Sequence, residues 1–290
     1  MARQSGWRIV LRIEDLDTPR VKPGVIGLTT DLLSWLGIDW DDGPVIQSGE
    51  RDHHFAAMET LARKGHVYPC DMTRREVEAA TSAQSAPQEG ERENVFPASL
   101  RPAIAPRAFI DDHSAWRFVT PDVDVAFRDM FAGHQLVRPA ATIGDFVVWS
   151  RRDRGVPGQA AYQLAVVVDD ARASVTHVVR GDDLIDSAAR QLLLARALGL
   201  APEPIYCHLP LVRGQDGKRL AKRHGDTRLD TYRARGVTPE RVIGLCAWWC
   251  GITSVPEPLN APEFCERFTL DRVPSGAITF RPEDDAWLLA

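Results

Sequence analysis

Cysteine is scarce and shows no pairing pattern. The five residues, Cys70, Cys207, Cys246, Cys250 and Cys265, are odd in number and no CxxC occurs. That argues against a disulfide frame and points to reduced thiols in a cytoplasm. No stretch approaches the run of about 20 apolar residues that a membrane-spanning helix needs. Charges are scattered through the first twenty residues, so no signal peptide is expected. A positive surplus is missing too. The 35 Lys and Arg face 40 Asp and Glu, a net charge of −5. This argues against indiscriminate polyanion binding, although a local basic face remains possible. No internal repeat is apparent.

What is present is a globular chain of 290 residues, 44% hydrophobic and 26% charged, long enough for a sizeable core and more than one lobe. "WRIVLRIED" reads as a buried strand beginning almost at residue one. "TTDLLSWLG" reads as a short helix closed by Gly37. "ERDHHFAAMETLARKG" reads as a helix with Phe55, Met58, Leu61 and Ala62 on one apolar face and Gly65 at its end. Its adjacent His53 and His54 point to different faces and are expected at the surface. Residues 81–94 are polar and aperiodic, a loop or excursion. Residues 95–145 read as short, irregular, proline-rich elements. From Gly144 the pattern strengthens. "DFVVW", "YQLAVVV", "VTHVVRG" and "IYCHLPLV" read as strands, and "SAARQLLLARALG" as a helix with Ser187 at its N-cap. Strand–helix–strand alternation with an irregular middle predicts an α/β fold, a parallel sheet carrying an insertion.

Four groups of residues could carry chemistry. "GQDGKRLAKRHGD" places Lys218, Arg219, Lys222 and Arg223 in one glycine-bordered loop after a strand. From Arg213 to Arg235 eight Lys and Arg stand against three Asp. Such a loop is either a solvated basic turn or a polyphosphate cradle, in which lysine follows phosphoryl charge as it develops. "RIEDLD" brings Glu14, Asp15 and Asp17 to a strand end, where ligands gather in open α/β sheets. They are either substrate ligands or helix-capping acids. Tyr162 and Arg180 flank two of the strand-like runs. Arg180 could grip a carboxylate in bidentate fashion, or pair with Asp169, Asp182 or Asp183. Cys70 has no partner pair at metal spacing, and Cys246 and Cys250, at i and i+4, suit core packing.

Taken together and in this order, "RIEDLD", "AYQLAVVVDD", "HVVRGDDL" and "GKRLAKRHG" resemble the glutamyl class of class I aminoacyl-tRNA synthetases, over essentially the whole chain. The likeness is nearest to the short paralogues that carry no anticodon-binding domain and act on the queuosine base of tRNA(Asp). The resemblance implies a Rossmann-type parallel sheet divided by an acceptor-stem-binding subdomain. Residues 1–70 and 146–226 would form the catalytic domain, 71–145 the insertion, and 227–290 a short helical C-terminal region. It implies a ligase whose partners are L-glutamate, ATP with Mg2+, and tRNA(Asp) carrying queuosine, with neither membrane nor DNA involved. Glu14 would meet the glutamate ammonium, and Tyr162 and Arg180 its carboxylates. Arg219, Leu220, Ala221, Lys222 and Arg223 would form the KMSKS-type ATP loop, with Lys222 catalytic.

Three departures accompany the resemblance. The family's opening strand, "APSP"-like turn and HIGH-type helix start, about one βα unit or roughly 30 residues, precede the point where this sequence begins. Ala221 replaces the loop serine. Of the four zinc-ligand positions only Cys70 keeps a ligand, the others being Met72, Phe96 and Leu100, so no zinc is expected. Only 68 residues follow Lys222, fewer than the about 100 a further domain needs, which sets the chain apart from a full glutamyl-tRNA synthetase. Two rival readings are an inactive RNA-binding remnant and a fragment of a glutamyl-tRNA synthetase.

Overall fold

The computed structural model describes residues 1–16, 21–73, 75–77, 95–111, 114–151, 157–218, 220 and 228–290. Strands β1 (Val10–Ile13) and β2 (Asp42–Ile46) run parallel, linked through helix α1 (Val25–Trp35). A parallel pair requires such a crossover. Gly37 ends α1 as expected, at φ 72, its amide on the Ser34 carbonyl at 3.0 Å. β1 is only half-buried along its length, not fully buried as the apolar run predicts. Among the described strands it pairs with β2 alone, so its other edge has no strand partner there.

Helix α2 (Arg51–Arg63) leads through Gly65 into β3 (Val67–Pro69). β3 joins β4 (Trp116–Phe118), β7 (Val147–Ser150) and β8 (Gln159–Ala160) in an antiparallel sheet. The middle of the chain also supplies a hairpin, β5 (Val125–Asp129) with β6 (Gly133–Val137), and a single turn α3 (Pro139–Thr142). The hairpin lies beside β10 (Ile205–Leu209), which runs parallel to β9 (His177–Gly181), giving a four-stranded sheet in the order β6-β5-β10-β9. The sheets are therefore mixed, and among the described strands the parallel pairing expected of an α/β fold is found in β1–β2, β5–β10–β9 and the short pair β11 (Val212–Arg213) and β12 (Ile278–Thr279).

The segment "YQLAVVV" is not a strand. It opens helix α4 (Tyr162–Arg172), in which every residue from Gln163 to Asp169 is buried. A helix enclosed on all sides shows no polar stripe, so its β-branched run mimics a core strand and only packing decides. α4 packs against α2 and α5 (Ile185–Leu198). Ser187 is not an N-cap either. It is the third residue of α5, buried, and its hydroxyl oxygen accepts from Gln163 Nε2 and Arg190 Nη2, each at 3.0 Å. His54 is likewise not at the surface. It shares the inner face of α2 with Ala57, Met58 and Leu61. Its Nε2 lies 2.8 Å from Asp169 Oδ1, while Gln47 donates to Asp169 Oδ2 at 2.8 Å.

These helices and the antiparallel sheet share one core. Phe109 sits edge-on between Trp116 and Trp149, at 5.1 Å from each ring. Beyond the basic loop come α6 (Leu229–Ala234), α7 (Pro239–Trp249), α8 (Ala261–Arg267) and α9 (Pro282–Leu289), with a separate small core of Tyr232, Val237, Leu245 and Leu288. Burial pushes the Cys246 thiol on α7 up to about 11, which keeps it a protonated, packed side chain. No helix among the described residues is long and apolar enough to cross a membrane.

Candidate active site

Strand ends assemble the site. Just past β1, Glu14 is exposed while its neighbour Asp15 is buried. Asp15 does the capping work foreseen for an acid there, accepting from Ser48 N and Oγ at 2.7 Å each. Glu14 accepts from Arg12 Nη2 at 3.0 Å, and Arg12 Nη1 donates to Asp170 Oδ1 at 2.6 Å. Burial pushes the Asp170 carboxyl above its ordinary value, with the Arg12 guanidinium opposing. This leaves Glu14 the exposed carboxylate of the trio.

Tyr162 is the first residue of α4, with 38% of its surface exposed. Its phenol is pushed up by burial and then by the Glu14 charge, while Arg180 pulls it down by charge and by a hydrogen bond. Glu14, Tyr162 and Arg180, 166 residues apart from first to last in the sequence, are thus neighbours in space.

Arg180 sits near the end of β9, directly beside His208 on β10 in the parallel register. Its Nε donates to His208 Nε2 at 2.9 Å, Nη1 to Gln191 Oε1 at 2.9 Å and Nη2 to the Leu184 carbonyl at 3.3 Å. The Tyr206 ring lies 5.1 Å under the guanidinium, a favourable cation–π placement. These partners are neutral, and none is the Asp169, Asp182 or Asp183 that a simple salt bridge would have used. Asp169 is taken up by His54 and Gln47. Arg180 is therefore held rigidly without being neutralised, which suits recognition of an anionic group.

Sequence reasoning missed the supporting layer. Gln191 on α5 donates to Gln163 Oε1 at 2.9 Å, and His208 Nδ1 lies 2.7 Å from Asp129 Oδ2. A usable signal existed: Gln163, Gln191 and His208 each interrupt an apolar run, and a buried polar residue must have a partner.

Of the basic loop, residues 214–218 and Leu220 are described. Gly214 and Lys218 close a tight turn, N to O at 2.9 Å, just after β11. Arg219, Ala221, Lys222, Arg223 and, in the acidic motif, Asp17 lie outside the described residues. The four positions Cys70, Met72, Phe96 and Leu100 do converge, but on one another. They pack with Tyr68 and Val77 in a single apolar cluster. Among the described residues no group of three or more His, Cys, Asp or Glu is placed to hold a metal.

Comparison with known proteins fits this geometry. A family model described as tRNA synthetases class I (E and Q), catalytic domain, matches residues 1–284. The chain is 42% identical, over a 301-residue alignment, to a protein named Glutamyl-Q tRNA(Asp) synthetase from Symbiobacterium thermophilum, covering 99% of this chain and 90% of that protein. A protein of the same name from Rhodopirellula baltica is 42% identical over 282 residues, 94% of this chain and 82% of the relative. A glutamate–tRNA ligase from Synechococcus sp. (strain WH7803) is 36% identical over 308 residues, and there the chain spans only 61% of the longer protein. The crystal structure of a glutamate-tRNA synthetase from Elizabethkingia anophelis superposes with a TM-score of 0.78 at 25% identity, covering 99% of this chain and 64% of that one. The chain belongs to the class I tRNA synthetase family for E and Q, as a catalytic domain.

Proposed function

We propose that the chain activates L-glutamate with ATP and transfers it to the queuosine base of tRNA(Asp). The observation that carries this is the convergence of Glu14, Tyr162 and an Arg180 held by neutral partners. Glu14 is the exposed acid for the glutamate ammonium, and Arg180 with Tyr162 the grip for a carboxylate. The choice of queuosine-bearing tRNA(Asp) over tRNA(Glu) is supported by the two relatives at 42% identity and by the large share of their length that the chain covers.

In the first step a glutamate α-carboxylate oxygen attacks the α-phosphorus of ATP. The bond to the β-phosphate oxygen breaks, and pyrophosphate leaves. In the second, a queuosine hydroxyl attacks the acyl carbon and AMP departs. The protein supplies positioning and charge, with little covalent chemistry of its own. Lys222 is the cation that meets the phosphates as charge moves onto pyrophosphate, with Arg219 and Arg223 steering ATP. Magnesium would enter with ATP as part of the substrate and would offset charge on the phosphates. The catalytic role of 1–70 and 146–226, the tRNA-facing role of 71–145 and the helical tail 227–290 belong to the same proposal.

The test is glutamate-dependent ATP–pyrophosphate exchange, followed by transfer of labelled glutamate to tRNA(Asp) with and without queuosine, and to tRNA(Glu). Label on queuosine-bearing tRNA(Asp) alone is expected. Label on tRNA(Glu) would favour the reading as a fragment of a glutamyl-tRNA synthetase, and tRNA binding without exchange the inactive remnant.

A further inference from the structure

Arg180 cannot aim itself; its neighbours on β10 and α5 set its direction. Arginine offers only donors, so at 2.9 Å from Arg180 Nε the Nε2 of His208 must be the acceptor. The proton of a neutral ring then sits on Nδ1, which faces Asp129 Oδ2 at 2.7 Å. Burial resists ionisation of Asp129, yet the amides of Ala132, His208 and Phe131 and the His208 ring outweigh it and hold the carboxyl below its ordinary value. Both carboxylate oxygens of Asp129 also receive the His208 amide, at 3.1 and 3.2 Å. The dyad is fully enclosed: neither side chain shows any exposed surface.

We propose that His208, fixed as its neutral Nδ1–H tautomer by Asp129, is the positioning residue that aims Arg180 at the substrate carboxylate, and that protonation of the ring withdraws that aim. The inference rests on the reading of Arg180 as the glutamate ligand. The tautomer follows from the donor inventory, since the alternative would set Nε2–H against Nε–H. A charged ring has no acceptor for Arg180 and adds a second buried cation beside it. The groups facing the ring are Arg180 from β9, Asp129 from β5, Tyr206 from its own strand, stacked at 5.8 Å, and the Leu184 carbonyl ahead of α5. Leu184 would receive the new proton, in competition with Arg180 Nη2. Burial lowers the ring's pKa, Asp129 raises it, and Arg180 lowers it again, with a net decrease. The switch therefore acts below the ordinary histidine value of about 6.5, and the site is intact at neutral pH.

Two substitutions separate the roles of the two ring nitrogens. In His208→Gln the amide oxygen reaches the Nε2 position and cannot titrate. In His208→Asn the amide reaches only the Nδ1 position, toward Asp129. Calorimetric titration of the full chain with L-glutamate, from pH 8 to pH 5, is the experiment. Wild-type affinity is expected to stay flat to about pH 6.5 and fall below it. His208→Asn should bind about tenfold more weakly at pH 8, as for loss of a hydrogen bond to a charged group. His208→Gln should recover most of that loss and remove the acid fall. Nitrogen-15 correlation spectra of the wild-type imidazole should show the Nδ1–H tautomer, a readout that needs no variant to fold. An Nε2–H tautomer, wild-type affinity in His208→Asn, or an acid fall persisting in His208→Gln would each overturn the proposal. A wild-type chain that binds no glutamate at any pH would instead remove the functional reading on which it rests.

Discussion

Arg180 shows how much one residue's meaning depends on its partners. Spacing alone allowed a salt bridge or a substrate grip, and the neutral hydrogen bonds to His208, Gln191 and Leu184 favour the grip. Arg180→Ala should weaken glutamate binding by about 2–5 kcal/mol, because the substrate carboxylate loses a bidentate partner. ATP binding should change little, and Arg180→Lys should not restore glutamate affinity, since a point charge lacks the fork. Titrations with each ligand check this, and unaltered glutamate affinity in Arg180→Ala would remove the assignment. Asp145 is the structural counterpart. Completely enclosed, it accepts from Tyr68 Oη at 2.7 Å, from Arg101 Nε and Nη2 at 2.6 Å each and from Thr120 N at 2.8 Å. Asp145→Ala leaves the guanidinium and phenol without their acceptor and should cost about 3–5 kcal/mol of stability, read from denaturant unfolding. Activity per folded molecule should survive.

At the scale of elements, the sequence pattern worked where one face is buried and failed where none is exposed. α2 carries a stripe; its limits and the inner residues Met58, Leu61 and Ala62 were legible, while Phe55 is only partly buried and the buried His54 and Ala57 were not read. Placed at 54, 57, 58 and 61, that stripe includes the histidine once polarity is ignored. α4 has no stripe, and its neighbours α2 and α5 decide that it is a helix. The cluster around Cys70 makes a prediction at this scale. Met72, Phe96 and Leu100 offer no good zinc donor, and their packing with Tyr68 and Val77 replaces a coordination bond by apolar burial. Elemental analysis of the purified protein should find no stoichiometric zinc, and Cys70→Ala should leave the metal content unchanged. One zinc per chain, lost in that variant, would contradict the reading.

For the whole molecule the issue is how the proposed glutamate ligands and the basic loop would serve one ATP. The proposed glutamate ligands stand just past β1, on α4 and on β9, and the basic loop follows β11. If Lys222 serves the phosphates, Lys222→Ala should lower the exchange rate by about 10²–10³ with a smaller change in ATP affinity. Arg219→Ala and Arg223→Ala should act mainly on ATP affinity. Exchange kinetics at saturating and limiting ATP separate these cases, and a chain indifferent to Lys222→Ala would refute the role given to the loop. The net charge of −5 adds that tRNA binding must come from a local face, so its affinity should fall steeply with salt.

By itself the sequence determined the fold class and the family, and it suggested the three residues proposed for the site, because these are carried by local motifs in a set order: an acid at a strand end, a tyrosine ahead of a run of Val, an arginine closing "THVVR". Glycine stops at Gly37 and Gly65 were readable because a left-handed backbone at a helix end favours that residue. Only the tertiary structure decided what surrounds those motifs. That Gln163, Gln191, His208 and Asp129 form the bed of Arg180 depends on the register of β9 on β10 and on the packing of α4 against α5. That "YQLAVVV" is a helix, that His54 is buried on Asp169 and that Ser187 lies inside α5 depend on which faces other elements cover. Local patterns record what a residue prefers to touch; long-range packing selects which partner it gets, and no spacing within a single segment encodes that choice.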